Sequence, residues 1–579
     1  MAEMTMTAPR ARRAEIAEGK KPPIIRPKAS SDDFIMRGCL VLVGVFFMLT
    51  VVLPLYALLK KSVEDANGGF VGLANFVAYF QDPALTQSLE NTVSMAVIST
   101  IVTLALAFGY AYALTRSCMP ARGLFKAIAL IPLLAPSLLP GLALVYLFGN
   151  QGVLKSLLFG ESIYGPIGII IGEVFFAFPH AVMILVTALS TADQRLYEAA
   201  DALRAKPMKT FFSVTLPGCR YGLISAGFVI FTLVFTDFGV PKVIGGEYNV
   251  LATDVYKQVI GQFNFHMGAV VGLMLMLPAV VSFSADRLVQ RKQVALLTAR
   301  AVPLTPKPRS LVDGFSLLLC LMVSVFLLAI LGMAAFGSLI KFWPYNLTLT
   351  LSKYDFGALG TGGWGDYFNS LRMATLVAVI GTTIVFVNAY MVEKSNGFRW
   401  GRNLIHFCAM IPLAVPGVVL GLAYIFFFNA PNNPLNFIYT TMTILVVNTI
   451  THYYTVCHLT AMTALKQVDA EFEAVSASLK VPFYKTFWRV TVPVCMPAIV
   501  DIGIYYFVNA MTTVSAVIFL YSSETKLMSI AALNTEDAGN TAQACAMGMT
   551  IVATSAVLRG IQALVAKRLQ RRSQAWRMR

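Results

Sequence analysis

Charge is scarce in this 579-residue chain: 13% of its residues are Asp, Glu, Lys or Arg, while 57% are hydrophobic. Soluble domains carry about 25% charged and about 45–50% apolar residues, so a soluble fold would leave apolar surface in water. Cysteine pairs are missing too. The eight cysteines, Cys39, Cys118, Cys219, Cys320, Cys408, Cys457, Cys495 and Cys545, show no CxxC spacing and none falls in an expected outward loop. A disulfide framework and a zinc ribbon are therefore poor readings, and buried or reduced thiols are expected. No GxxxxGK[ST] phosphate loop occurs, so no backbone cradle and lysine stand ready for nucleotide phosphates. No polar stretch is long enough to house a nucleotide-binding domain. The expectation is a protein without catalytic residues, cofactor or metal of its own.

What is present is a series of long apolar runs. A helix needs about 20 mostly apolar residues to cross a bilayer core of about 30 Å. Runs of that length are expected at 37–59, 91–115, 126–148, 166–189, 220–241, 266–286, 313–337, 371–393, 404–428, 437–463, 497–521 and 541–565. The fold class is an all-α polytopic membrane protein with twelve transmembrane helices. The formal charge of +16 is explained by its placement. With a cytoplasmic N-terminus, Lys and Arg concentrate on the even-numbered loops and the two tails, the bias that marks the cytoplasmic side. Clusters such as Arg10, Arg12, Arg13, Lys20 and Lys21, or Lys567, Arg568, Arg571 and Arg572, need no nucleic-acid partner. Both termini are expected in the cytoplasm. Residues 1–36 and 566–579 are read as basic tails, the first of them disordered. The first apolar run exceeds the core of a secretory signal and lacks a small-residue cleavage site.

The chain repeats itself. IPLLAPSLLPGLALVYLF at 131–148 returns as IPLAVPGVVLGLAYIFFF at 411–428. LRAKPMKTFFSVTLP at 203–217 returns as LKVPFYKTFWRVTVP at 479–493, in the same order and at nearly the same offset. Six helices per unit is an even number, so the halves, 37–286 and 313–565, run parallel rather than inverted. Charge and proline at 287–312 suit a cytoplasmic linker.

The most informative segment of each half lies between its fourth and fifth helices. It reads EAADALRAKPMKTFFSVTLPGCRYG from Glu198 and EAVSASLKVPFYKTFWRVTVPVCMPAI from Glu473. Alanine and leucine favour a short helix, and an acid suits its N-terminus. Pro207 and Pro482 end that helix. Phe211 and Phe212, or Phe487 and Trp488, supply apolar anchors before Pro217 and Pro493 break the chain again. These segments resemble the EAA loop of binding-protein-dependent ABC importer permeases. The resemblance implies a type I importer fold, with a coupling helix in each half docked on a separate ATPase. Carried over residue by residue, the coupling positions are Glu198, Ala199, Ala200, Leu203 and Arg204, with Glu473, Ala474, Leu479 and Lys480. Arg204 and Lys480 stand where the family usually has glycine, and Glu473 lies one residue further from its leucine than Glu198 does. The implied partners are an ABC ATPase, two copies using ATP and Mg, a periplasmic solute-binding protein and the bilayer of the bacterial inner membrane. A pair of interfacial helices drawn to anionic lipid by Lys206, Lys209, Lys480 and Lys485 is the plainer alternative.

Polar side chains inside membrane helices are costly and point to a pathway. Glu173, His180, Asp237 and Asn448 are the candidates, with His452 and Asp501 beside them. Glu173 falls opposite Asn448 or Thr449 by the repeat and is expected to line the passage. His180 follows Pro179 and could instead satisfy backbone freed by it. Asp501 lies near a membrane surface. The fused architecture, the stretch at 236–265 and the run at 465–499 resemble permeases of 2-aminoethylphosphonate importers, which are related to those for iron(III). The implied solute is 2-aminoethylphosphonate, with iron(III) or a polyamine as alternative. A secondary transporter of the major-facilitator type shares the parallel repeat but leaves the paired loops unexplained.

Overall fold

The computed structural model describes residues 31–296, 302, 304–357, 363–395, 398–469 and 471–573. The helices Ser31–Phe47 and Thr541–Ser573 reach into both expected tails; 1–30 and 574–579 lie outside the described residues. Among the described residues nine helices are long and apolar enough to span a bilayer, and eleven if each of two bent pairs counts once. The protein is a multi-pass helical membrane protein.

The difference from twelve lies in three places, and each has a local cause. Arg122–Leu134 meets Leu138–Phe148 at 104°, and Arg399–Ala414 meets Gly417–Phe428 at 113°. Pro132 and Pro412 sit in the 3₁₀ turns Ile131–Leu134 and Ile411–Ala414, with Pro136 and Pro416 just beyond. Proline removes a ladder donor and clashes with the preceding turn, so these helices turn back rather than merely bend. The run expected at 437–463 is two helices, Met442–His452 and Tyr454–Lys466. Thr449 and Thr451 bond back to the carbonyls of Leu445 and Val447, and Thr455 bonds the carbonyl of Ala409. Such back-bonding by β-branched residues bends helices.

Pro217 and Pro493 do not break the chain. The helices Pro207–Thr236 and Phe483–Thr512 run through them. A π turn precedes each proline, at Phe211–Thr215 and Phe487–Thr491, and places it at the start of the next α segment. There its missing N–H costs no ladder bond. The linker is also shorter than expected, because the helix Phe265–Leu296 continues into it and the next helix begins at Ser310.

The halves exchange their first helices. Ser31–Phe47 packs on Thr382–Lys394 and Arg399–Met410 of the second half. Phe47 meets the Tyr454 ring edge-on at 4.8 Å. Reciprocally, Ser310–Leu339 packs on Pro83–Arg116 and Leu138–Phe148, with the hydroxyls of Tyr110 and Ser324 3.1 Å apart.

At the end of the bundle away from the paired loops, segment 242–265 is not a free loop. Its helix Leu251–Tyr256 is buried through Leu251, Ala252 and Val255, as Met528–Asp537 is in the second half. The expected loop at 338–370 carries a hairpin, Ile340–Phe342 with Asn346–Leu349. Its Trp343 packs on Tyr146 and donates to the Gln151 carbonyl, while Tyr345 stays exposed. Trp364 packs against Phe356 with the rings tilted at 59°.

Candidate functional site

Two regions carry the candidate residues. The first is the pair of loops. In the first half the helix Gln194–Ala202 starts at Asp193, whose carboxylate accepts from the N–H of Arg195. It ends in a Schellman turn. The Ala205 N–H donates to the Ala200 carbonyl and the Arg204 N–H to that of Asp201. The second half repeats the turn, with the Val481 N–H donating to the Ser476 carbonyl after the helix Glu471–Ser478. This turn requires a left-handed residue. Arg204 supplies it at φ 50° and Lys480 at φ 54°. The departures from glycine thus leave the turn intact at a steric cost of about 1–2 kcal/mol each. Arg204→Gly with Lys480→Gly should stabilise each turn by about 1 kcal/mol. Slower proteolysis at 203–206 and 479–482 would register it; unchanged or faster cleavage would contradict it.

Aligning the two turns moves one residue. Ala474, not Glu473, lies at the position of Glu198, five residues before the leucine; Glu473 matches Tyr197. Glu198 is exposed and accepts from Gln194. Glu473 instead pairs at 3.0 Å with Lys394, at the end of a membrane helix. In the first half Arg116 takes the place of Lys394, lies over the Tyr197 ring at 5.2 Å and donates to the Leu189 carbonyl. Each loop is thus braced by a basic residue at a helix end, with different chemistry. Leu203 is 82% and Leu479 70% exposed, and Ala199 and Ala474 are exposed beside them, while Ala200 is buried.

Each loop also receives the approach to the other half's first helix. The Gln194 N–H donates to the Val302 carbonyl, and Thr305 donates to Gln194 through its N–H and hydroxyl. Asp32 accepts from the N–H of Phe483.

The second region is a cavity of about 340 Å³ between the halves. Both helix bends line it, through Pro132, Ser137, Pro412 and Gly417. Of the four pathway candidates it brings together His180 and Asp237; His452 also lines it. Glu173 stands behind the wall, fully buried, beside Asp237. Asn448 is buried and donates to the Ala516 carbonyl at 2.6 Å, pinning the non-helical segment after Thr512. Glu173 and Asn448 each face a broken segment of their own half rather than one another. Asp501 is exposed, accepts from Gln562 and lies away from the cavity.

Asp286, Tyr505, Asn509 and Thr513 line the cavity and were absent from the candidates. Asp286 accepts from Ser225. Its position at the end of a run expected to stop at 286 hid it, since helix-end acids ordinarily reach water.

On the side away from the loops the two halves also meet directly. Lys242 pairs with Asp537 at 2.9 Å and lies 5.2 Å over the Tyr256 ring. Tyr256 in turn stacks on Phe519.

Comparison with known proteins agrees with this architecture. The family described as binding-protein-dependent transport system inner membrane component matches residues 105–295 and 389–571, once in each half. The ferric transport system permease FbpB of Actinobacillus pleuropneumoniae is 28% identical over 484 residues, 81% of this chain and 69% of that protein. A putative ferric transport system permease FbpB 1 of Haemophilus influenzae is 29% identical, over 77% of this chain and 71% of its own length. The spermidine/putrescine permease PotB of Haemophilus influenzae is 26% identical over 38% of this chain and 82% of its own length. With both halves matched, the chain belongs to the family of inner-membrane components of binding-protein-dependent transport systems, as the permease subunit of an ABC importer.

Proposed function

We propose that this permease carries a cation, with iron(III) the first choice, through the cavity between its halves. The single observation that supports the reading is the cavity wall. Asp237, Asp286, Tyr453, Tyr505 and several hydroxyls line it, and among the described residues no Lys or Arg does. Hard cations favour such oxygen ligands. An anionic headgroup would meet like charge there, which disfavours the phosphonate implied by the earlier resemblance. The names of the two long relatives above point the same way.

In this reading the two loops dock on an ATPase dimer in the cytoplasm, with exposed Leu203 and Leu479 as apolar anchors and Arg204 and Lys480 facing acidic groups. A periplasmic binding protein delivers solute to the opposite end, and both termini are cytoplasmic. Glu198→Lys or Glu473→Lys should lower transport-coupled ATP hydrolysis without preventing insertion.

Uptake by vesicles holding the complete importer decides the solute. ATP-dependent accumulation of iron(III), with neither 2-aminoethylphosphonate nor putrescine taken up, is the expected result. Accumulation of the phosphonate alone would overturn the cation reading and leave the permease assignment standing.

A further inference from the structure

The wall of the cavity holds an arrangement that pathway lining alone does not require. Glu173 is fully buried, and neither of its carboxyl oxygens has a hydrogen-bond donor. Its neighbour is a second carboxyl, that of Asp237, which reaches the cavity and accepts from the Val240 N–H at 2.9 Å. Ser137, at the helix bend, lines the same cavity as Asp237. Two bare carboxylates cannot rest against each other away from water unless a positive charge lies between them. The second half shows that the fold does not need this pair. At the repeat offset of the loops, Glu173 matches Thr449 and Asp237 matches Thr513. Thr449 satisfies itself on the Leu445 carbonyl. The acidic pair therefore belongs to one half only.

We propose that Glu173 and Asp237 form a cation subsite of the cavity, holding a shared proton when empty and exchanging it for the imported cation. This rests on the cation reading of the preceding section. The exchange is balanced: one carboxyl O–H bond breaks, its proton passes to cavity water, and oxygens of both carboxylates close on the cation. Hard cations with oxygen-only donors suit such a pair. The Val240 N–H holds Asp237 at the cavity, and Glu173 supplies the second carboxylate from behind. The other titratable groups lining the cavity are His180, His452, Asp286, Tyr453 and Tyr505, each replaceable independently of the pair.

The test uses the full chain in lipid nanodiscs with terbium(III), a hard trivalent probe. Its luminescence reports binding, and infrared difference spectra report the protonated carboxyl. Terbium should bind with loss of the protonated-carboxyl band and release of a proton into the medium. Glu173→Gln and Asp237→Asn should each bind it about tenfold or more weakly and lose the proton release. Terbium binding with parental affinity in both variants, or binding that leaves the carboxyl band unchanged, would overturn the proposal. Uptake by the complete importer separates the two levels. Iron(III) uptake by the parent that persists unchanged in Glu173→Gln would overturn the subsite alone. No cation uptake by the parent would overturn the solute reading and this subsite with it.

Discussion

A chain carrying Leu203→Asp and Leu479→Asp should insert and fold like its parent yet lose nearly all ATP-driven uptake. The two leucines are the exposed apolar positions immediately before the left-handed turns, so folding loses little when they change; exposed substitutions typically move stability within about 0.5 kcal/mol. Docking loses much more. An apolar anchor seated in a partner pocket contributes about 2 kcal/mol when truncated, a factor of about thirty in affinity, and a buried carboxylate adds a desolvation cost. Co-purification with the ATPase should fall by about two to three orders of magnitude for the double variant if the two anchors act independently. Full co-purification and parental uptake would remove these loops from the coupling role. A useful contrast lies in the acids. Glu473→Gln breaks a brace to Lys394 inside the protein, whereas Glu198→Gln alters only an exposed contact with Gln194. The first should therefore raise hydrogen exchange in its own loop even without the ATPase, and the second should not.

Tethering residue 242 to residue 537 should stop transport completely and reversibly. Lys242 and Asp537 belong to different halves and meet at 2.9 Å on the side of the cavity away from the loops. In the reading proposed above, opening of the halves toward that side requires this contact to part. The two side chains span more than a disulfide does, so cysteines at both positions should be joined by a short, reducible bis-thiosulfonate. Uptake should vanish on tethering and return on reduction, while the parent chain, whose own cysteines are buried or half-buried, should be unaffected by the reagent. Undiminished uptake in the tethered chain would show that the halves do not part at this point.

The repeat, the helical class and the two loops were legible because each is written locally: apolar runs by length, the loops by short repeated strings. The sharp bends were half legible. Pro132, Pro136, Pro412 and Pro416 announced interruptions, but a proline does not reveal that the chain turns through more than a right angle. The break at Tyr453 was hidden, since threonines such as Thr449 and Thr451 are compatible with a continuous helix until their hydroxyls bond back. The prolines at 217 and 493 misled in the other direction, because a π turn absorbs them. Asp237 and His180, which line the cavity, stood out in the sequence only as polar residues within apolar runs. Glu173 was placed one layer too far forward, because a sequence shows that a carboxyl is in the membrane and not which neighbour stands before it. Asn448 illustrates the same limit: its partner, the Ala516 carbonyl, belongs to a segment that read as continuous helix.

The exchanged first helices bear on how the protein is made. The helix Ser31–Phe47 finds its neighbours, Thr382–Lys394 and Arg399–Met410, only after most of the chain has been synthesised. Until then its inner face waits in lipid. The first half, for its part, is covered only when Ser310–Leu339 arrives from the second. The first half is therefore not a finished object when its own last helix leaves the ribosome, and the second is finished only with a helix made at the outset. Chains from a gene split at 297–309 should assemble only when both are made together, and each made alone should be a substrate for membrane quality control.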